Sequence, residues 1–404
     1  MTQPETSNLQ ASRLSALSMR VDAIDILRAI TMILMIFVND LWSLTAIPDW
    51  LEHVPGGVDG IGLADVVFPA FLFIVGMSLP FAVNARRQKG DTDSALVLHV
   101  VLRSIALLVM GVFLVNGESI DEKETGIHRL VWNVLSCCSF ILIWNAYPKT
   151  AASWIVLVAK GIGVATLIGL AFVYRGEEEK RFATHWWGIL GLIGWSYLAA
   201  ALVTVFAQNR ISILLAAWVG FSILSMVSAA DLLPEFLSFI PSAIRGGTLV
   251  GLTMGGVVVS TIFTYFRQQA DYKRMSFVFL LAAVALIGLS VYTRTFWGLS
   301  KLAATPAWLF LCSAFSMLAF TAIYWLVDRG GNVQKLRFIK PAGTDTLLCY
   351  LIPYFAYAFT TLLDLHLPGV LLTGGIGLLK SVLFALLCVW ITGRLNKIGV
   401  RLKL

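Results

Sequence analysis

The sequence predicts an all-α protein, a polytopic bundle of about 12 transmembrane helices, and three observations lead to this fold class. The chain of 404 residues is 58% hydrophobic and only 13% charged, with a mean hydropathy of +0.83. Its apolar residues fall in runs of roughly the length that a helix needs to cross a bilayer. These runs recur towards the C-terminus with no long hydrophilic tract between them. We therefore expect any site to be built from the helices and their connecting loops.

Twelve apolar stretches are long enough to be counted as membrane spans. Without two of these stretches the count would be ten, so we predict 10–12 spans. These two are 130–146, which is short, and 211–229, which follows its neighbour closely. The predicted limits are 29–46, 66–84, 96–115, 130–146, 151–173, 186–206, 211–229, 248–266, 275–293, 308–327, 345–363 and 371–391.

A polar segment, residues 1–28, precedes the first span. The first apolar run is too long for the core of a signal peptide, and no small-residue cleavage site follows it. We expect this run to be a retained helix. The chain is interpreted as a single transmembrane domain, 1–404, with the helical bundle at 29–391 and a tail at 392–404.

The distribution of cations predicts the orientation of the bundle. With 12 spans, the loops on the N-terminal side carry 19 of the 30 Lys and Arg residues, the opposite loops carry 8, and three lie within spans. Cytoplasmic loops of membrane proteins are enriched in Lys and Arg. Both termini are therefore predicted to be cytoplasmic. In this orientation the acidic stretches at 118–124 and 177–179 face outward, and a solvated surface accounts for them.

The cysteines and the net charge exclude other classes of function. All five cysteines lie in apolar runs without the spacing of a metal site or a disulfide framework, so they are interpreted as core residues, and no metal is expected. The net charge of +7 follows the loop asymmetry of a membrane protein and does not indicate nucleic acid.

The connection between the first two spans is the most informative stretch of the chain. It has about twenty residues where a few would suffice, contains His53, and carries acidic residues but no Lys or Arg. Long loops in compact domains are usually functional. An imidazole among carboxylates can move protons near neutral pH. We expect His53 to face outward as a catalytic base, and the alternative is a loop histidine without a role.

The polar residues near this loop and within the spans leave alternatives open. Asp65 can cap the helix that follows it, or orient His53 by accepting a hydrogen bond from the ring. Asp25 and Arg28 can pair on one helix face, either as a cytoplasmic anchor or at an entrance for phosphates. Arg103 lies in an apolar span and needs a partner or a cavity. Asn116 ends a span, where a polar cap is expected.

Proline and glycine interrupt several spans. Pro69 and Pro80 interrupt the second span, and Gly255 and Gly256 lie in span 248–266. Broken helices beside a cavity often bind ligands. Close helix packing through small residues explains the glycines equally well.

Several motifs together resemble a known family. These are VDAIDILRAITMILMIFVND from Val21, GLADVVFPAFLFIVGMSLPFAV from Gly62, LRSIALLVMGVFLVNG from Leu102, LSKLAATPAW from Leu299, YWLVD from Tyr324 and FIKPAGTDTLLCYLIPY from Phe338. The sequence resembles the heparan-alpha-glucosaminide N-acetyltransferase family, in its bacterial branch.

The resemblance implies transfer of acetyl from cytosolic acetyl-CoA to a glucosamine-type amine on the far side of the membrane. His53 matches the position of the family's essential histidine, and Asn39 matches the asparagine of its phenylalanine-valine-asparagine motif. The expected catalytic residues are His53, Asn39 and Asp65. The expected residues for CoA are Arg28, Arg103, Asp25 and Asn116. The implied location is the bacterial inner membrane, the partners are acetyl-CoA, a saccharide acceptor and lipid, and a homodimer is left open.

The chemistry requires removal of a proton from the amine and stabilisation of the charge that develops on the thioester oxygen. His53 can supply the first function and the Asn39 amide the second. Direct transfer and an acetyl-histidine intermediate both remain open. Two other classes also remain open: an acyltransferase for an envelope saccharide hydroxyl, and a secondary transporter. The secondary transporter is disfavoured because no inverted repeat is found in the sequence.

Overall fold

The computed structural model describes residues 21–177 and 180–404, and the secondary structure of these residues is helical. No strand is assigned within them, and only isolated β-bridges occur. Most of the predicted N-terminal segment, including Arg13 and Arg20, lies outside the described residues, as do Glu178 and Glu179 of the acidic stretch. The all-helical prediction is confirmed for the described part of the chain.

Twelve helices of sixteen residues or more follow one another in the described ranges, and each overlaps one predicted span. They are α1 Asp22–Asp40, α2 Leu63–Gln88, α3 Asp93–Glu118, α4 Arg129–Trp144, α5 Ser153–Val173, α6 Ile189–Ala207, α7 Ile211–Ala229, α8 Thr248–Gln268, α9 Tyr272–Trp297, α10 Pro306–Tyr324, α11 Thr346–Leu362 and α12 Gly374–Lys397.

Nine of these helices, within the described residues, are long and apolar enough to cross a membrane: α2, α3, α5, α6, α7, α8, α9, α10 and α12. The helices α4 and α11 are shorter. Helix α1 begins at Asp22 and not near residue 29, and it includes Asp25, Arg28 and Asp40. Acidic residues in the first turn of a helix interact favourably with its dipole, which accounts for the earlier start. The count of about 12 spans and the location of the termini stay predictions.

The chain divides into two compact units, and the interpretation as one domain stays a prediction. The first unit contains the described residues up to Leu27 together with 53–101 and 195–335. In it, α2 packs against α8 through glycines: a Cβ atom on Gly76 would overlap the carbonyl of Thr253, and one on Gly256 would overlap the carbonyl of Phe73. Small residues let helix backbones approach closely in membranes. The packing interpretation of the glycines in span 248–266 is therefore confirmed for Gly256.

Aromatic side chains fill the core of the first unit. Phe263 packs edge-on against Phe320, with ring centroids 5.3 Å apart, and also against Tyr324 at 5.1 Å. These rings belong to one buried cluster that also includes Phe73 and Phe279. The cluster joins α2, α8, α9 and α10.

The second unit contains residues 28–52, 102–194 and 336–404. The Gly111 and Gly191 backbones lie so close that a Cβ atom on Gly111 would be 2.6 Å from the Gly191 nitrogen. Trp132 of α4 is fully buried and donates its indole N–H to the carbonyl of Phe113 at 2.9 Å. Its indole N–H is thereby satisfied inside an apolar core.

Candidate active site

His53 and Asp65 form the centre of the candidate site in the first unit. The Nδ1 atom of His53 lies 2.7 Å from Oδ1 of Asp65. The His53 side chain is 49% exposed, whereas the Asp65 side chain is 2% exposed. The imidazole is thus open to a substrate on one side and held by a buried carboxylate on the other. The structure brings these two predicted residues together.

Asp65 also organises the start of α2. Its Oδ2 atom accepts hydrogen bonds from the backbone N–H groups of Val54 at 3.1 Å and Gly62 at 3.0 Å. Gly62 is the N-cap of this helix, so Asp65 is the third helical residue and not the cap, which was one of the two roles that the sequence left open. The helix begins before residue 66 because a carboxylate at this third position can bond back to the N-cap N–H. One carboxylate oxygen of Asp65 therefore bonds to the backbone at the helix start, and the other bonds to His53.

The backbone of Asp65 is fixed as well. Its carbonyl accepts a hydrogen bond from the indole N–H of Trp308 at 2.9 Å. Trp308 belongs to α10 and is 1% exposed. Because this contact is buried, rotation of α2 about its axis would leave an indole donor unsatisfied. The carboxylate is therefore presented to His53 in a fixed position.

Lys301 completes the cluster, and in the sequence it is part of the LSKLAATPAW motif that begins at Leu299. Its Nζ atom lies 3.1 Å from Nδ1 and 3.4 Å from Nε2 of His53, and 3.9 Å from Oδ1 of Asp65. Burial lowers the pKa of the Lys301 ammonium, and the nearby Asp65 charge opposes this shift only in part. Lys301 lies between α9 and α10, so contact with His53 spans 248 positions of sequence. Its place in the LSKLAATPAW motif was the one available sign of a role.

A second carboxylate fixes the segment that carries Lys301. Asp59 accepts hydrogen bonds from the Leu299 backbone N–H at 2.7 Å and from the Arg294 Nε at 3.0 Å. These contacts hold the pKa of Asp59 below its usual range, the Leu299 N–H first and the Arg294 guanidinium second. The Gly60 N–H also donates to the Leu299 carbonyl at 2.9 Å. The loop with His53 and the loop with Lys301 are therefore tied together near the site.

These contacts define the protonation pattern of the imidazole. A carboxylate accepts a hydrogen bond from Nδ1 only when Nδ1 carries the proton, so Nε2 of a neutral ring keeps its lone pair. Lys301 has donors and no acceptor, and its Nζ atom lies beside both ring nitrogens, 3.1 Å from Nδ1 and 3.4 Å from Nε2. His53 is therefore arranged as a proton acceptor at Nε2, which is the arrangement of a general base.

Asn39 lies in the second unit and lines a cavity of about 230 Å³. Its side chain is exposed, and its amide has no assigned hydrogen-bonding partner among the described residues. The other polar side chains of the cavity are those of Glu118, Tyr350 and Tyr354, and the two tyrosine hydroxyls lie 3.3 Å apart. An unengaged amide donor at a cavity wall is available to a ligand oxygen.

Asp40, the residue after Asn39, forms a buried polar network that the sequence analysis did not identify. Its Oδ2 atom accepts from Lys380 Nζ at 2.6 Å and from Ser381 Oγ at 2.6 Å, and its Oδ1 atom accepts from the Tyr357 hydroxyl at 2.9 Å. Asp40 is 3% exposed. The network anchors the end of α1 to α11 and α12, and it therefore fixes the backbone that carries Asn39.

The four residues expected to contact CoA are Asp25 and Arg28 in α1 and Arg103 and Asn116 in α3. Arg28 donates to the carbonyl of Gly343 at 2.9 Å. Arg103 is the eleventh residue of α3 and is partly buried. Asp25 is buried in the first unit. Asn116 is fully buried, and its amide donates to the carbonyls of Val112 at 2.7 Å and Ala183 at 2.8 Å. The Asn116 amide is thus engaged with backbone groups, and the CoA roles of all four residues stay predictions.

Comparison with known proteins adds independent findings. A family model described as Domain of unknown function (DUF5009) matches residues 20–238, which is more than half of the chain. The heparan-alpha-glucosaminide N-acetyltransferase of Homo sapiens is 33% identical over 121 residues, which cover 28% of this chain and 17% of that protein. The protein of the same name from Mus musculus is 32% identical over 118 residues, 28% of this chain and 16% of that protein. The matched region spans about a sixth of the length of these relatives.

Proposed function

We propose that this chain, which belongs to the DUF5009 family, is a multi-pass membrane acetyltransferase. In this proposal it moves an acetyl group from cytosolic acetyl-CoA to the amine of a glucosamine-type amino sugar on the periplasmic side of a bacterial inner membrane. The names of the two relatives support acetyl transfer to an amino sugar. The nine apolar helices of the described residues support a membrane location.

The observation that carries the proposal is the contact between His53 and Asp65. The nitrogen of a primary amine loses a proton as it attacks a thioester, and Nε2 of His53 is the acceptor that the Asp65 contact leaves available. The Asp65 carboxylate also stabilises the imidazolium that forms, because the opposite charges lie 2.7 Å apart and the carboxylate is buried. The pair therefore suits an amine acceptor that must be deprotonated during attack.

Asn39 is proposed to stabilise the thioester oxygen. Negative charge develops on that oxygen as the carbon becomes tetrahedral, and a fixed amide N–H is a suitable donor. The Asp40 network supports this role because it holds the adjacent backbone with three side-chain hydrogen bonds. A donor that is fixed before the reaction does not have to be reorganised during it.

Two chemical routes are compatible with these residues. In direct transfer, the acceptor amine attacks the thioester while His53 takes its proton. In the alternative, Nε2 of His53 attacks first, CoA leaves as a thiolate, and the acetyl-imidazole then passes its acetyl group to the amine. The second route requires an acetylated histidine before any acceptor is added, so rapid quenching of the protein with acetyl-CoA alone distinguishes the two.

The donor is proposed to enter from the cytoplasm, because acetyl-CoA is a cytosolic metabolite. Its phosphates suit the guanidinium groups of Arg28 and Arg103, since planar cations bind phosphate oxygens with two parallel hydrogen bonds. Asp25 and Asn116 are proposed to support the binding of the phosphate end of acetyl-CoA. A hydrocarbon core of about 30 Å separates the two faces of a membrane, so the thioester end has to pass through the protein.

The experiment that tests the proposed function is acetyl transfer by the purified protein in detergent. Acetyl-CoA is supplied together with glucosamine, and N-acetylglucosamine is measured by mass spectrometry. A parallel reaction contains methyl glucoside, which has hydroxyl groups but no amine. The proposal expects product from glucosamine and none from methyl glucoside. Transfer to methyl glucoside alone would identify a hydroxyl acyltransferase, and absence of both products from a monodisperse preparation would contradict the proposed function.

A further inference from the structure

The amine of Lys301 is placed where the amine of an acceptor has to be. A general base acts on a proton whose donor atom lies within hydrogen-bonding reach, and catalytic hydrogen bonds are often long in a structure without substrate. The Lys301 Nζ atom lies 3.4 Å from Nε2 and 3.1 Å from Nδ1 of His53. Lys301 is itself a primary amine, the same functional group as the proposed acceptor.

We infer that Lys301 is a self-acetylation site, which takes an acetyl group from acetyl-CoA when no acceptor amine is present. This assignment rests on the proposed function, since it uses the same donor and the same base. It goes beyond that function because the acetylated product is the protein itself. An acceptor amine then has to displace the Lys301 side chain before it can reach Nε2.

The covalent step is balanced without an added reactant. The Lys301 ammonium first loses one proton to bulk solvent, and the neutral amine attacks the acetyl carbonyl carbon. The new C–N bond forms, the C–S bond breaks, and CoA leaves as a thiolate. Nε2 of His53 takes the second proton from the attacking nitrogen and passes it to the thiolate. The products are an N-acetyl-lysine side chain and CoA.

The neutral amine is more favoured for Lys301 in its protein surroundings than for a lysine side chain in water. The side chain is 23% exposed, and burial lowers its pKa. Lysines that are desolvated in this way are the ones that act as nucleophiles. The Asp65 carboxylate, 3.9 Å away, is already bonded to His53 and to two backbone N–H groups. It therefore holds the ammonium less firmly than an unshared carboxylate would.

Lys380 offers a matched comparison inside the same chain. Its side chain is 17% exposed, close to the value for Lys301. Its Nζ atom is bonded to Asp40 at 2.6 Å and to Ser43 at 3.1 Å, and no histidine contact is assigned to it among the described residues. The Lys380 amine is thus engaged by a buried carboxylate and a hydroxyl. Lys380 is therefore enclosed to a similar degree as Lys301 but has no imidazole contact within the described part of the chain.

The experiment is peptide mass spectrometry of the purified wild-type protein after incubation with isotope-labelled acetyl-CoA and no acceptor. The labelled acetyl group is expected on Lys301 and not on Lys380. His53→Ala should slow labelling of Lys301 by roughly 10²-fold or more, the range for loss of a general base. Glucosamine added at the start should reduce labelling of Lys301, because both amines need the same place.

Each outcome bears on the inference separately from the proposed function. If acetyl reaches glucosamine while Lys301 stays unlabelled, the self-acetylation site is refuted and the proposed function stands. Labelling that is equal at Lys301 and Lys380, or that persists in His53→Ala, shows non-enzymatic acetylation and also refutes it. Absence of both glucosamine product and label contradicts the inference together with the proposed function.

Lys301→Arg provides a second readout. Arginine keeps a cation beside His53 but does not accept an acetyl group under these conditions. Preincubation of the wild type with acetyl-CoA should therefore slow the later turnover of glucosamine, whereas the Lys301→Arg protein should show no time-dependent loss. A wild type that loses no activity on preincubation, despite a labelled Lys301, would contradict the claim that Lys301 occupies the acceptor position.

Discussion

One oxygen of the Asp65 carboxylate is hydrogen-bonded to the imidazole of His53 at 2.7 Å, and the other accepts a hydrogen bond from the backbone at the start of α2. The two functions are coupled, because any rotation of the carboxylate that improves one contact lengthens the other. Asp65 is 2% exposed, so water does not replace a lost partner. The orientation of the ring is thus set by the same group that stabilises the helix end.

Replacement of Asp65 by Asn should therefore lower kcat by roughly 10²–10⁴-fold, the range seen when a base loses its orienting carboxylate. The amide oxygen cannot accept from His53 and from the backbone N–H groups of Val54 and Gly62 at once, so the tautomer with Nδ1–H is no longer enforced. The measurement is steady-state acetyl transfer. Asp59→Asn is the matched control, because Asp59 supports the same region without touching His53. Equal losses in both variants would point to a structural effect alone.

Asn39→Ala is expected to lower kcat by roughly 10²–10³-fold, the cost of removing one oxyanion donor. The KM for acetyl-CoA should change little, because the donor acts on charge that develops only in the transition state. Asn332→Ala is the control for a general effect of amide removal, since the Asn332 amide donates to the nearby Leu326 carbonyl and lies outside the proposed site. An unchanged kcat in Asn39→Ala would exclude the proposed role.

The Asp40 and Lys380 pair should dominate the local stability of the second unit. Removing one partner of a buried ion pair leaves the other charge uncompensated and costs about 3–5 kcal/mol in the free energy of unfolding. We expect Asp40→Asn to show a loss of this order. The double variant Asp40→Asn with Lys380→Met should lose less than the sum of the single variants, with a coupling of about 1–3 kcal/mol. Strict additivity in denaturant unfolding would show that the two side chains do not interact.

Lys301 gives the stability of the protein a defined pH dependence. Its pKa in the folded protein is lower than in the unfolded chain, so the folded state binds fewer protons between those two values. The free energy of unfolding therefore rises with pH across that window, which ends near the ordinary lysine value of about 10.4. Relative to Lys301→Met, the wild type should gain stability between pH 7 and pH 10. A wild type whose stability falls or stays constant relative to Lys301→Met across that range would contradict the lowered pKa.

The sequence predicted the helices well and the polar contacts unevenly. Apolar runs located all twelve helices because burial in a bilayer demands uniform composition, but the start of α1 was placed too late since Asp22 and Asp25 interrupt the apolar pattern. His53 and Asp65 are 12 residues apart, so a contact between them could be considered from the sequence. Lys380, the partner of Asp40 in α12, is 340 positions away from it, and Lys301 is 248 positions away from its partner His53. Spacing in a sequence carries no information about contacts that only the packing of helices creates.

The most direct test of the central claim is acetyl transfer by His53→Ala. Without the imidazole no group is arranged to take the proton of the attacking amine, and Nε2 is also unavailable as a nucleophile. The expected result is loss of N-acetylglucosamine formation by roughly 10²-fold or more, in a protein whose thermal unfolding and gel-filtration profile match those of the wild type. A His53→Ala protein that transfers acetyl at the wild-type rate would contradict the account.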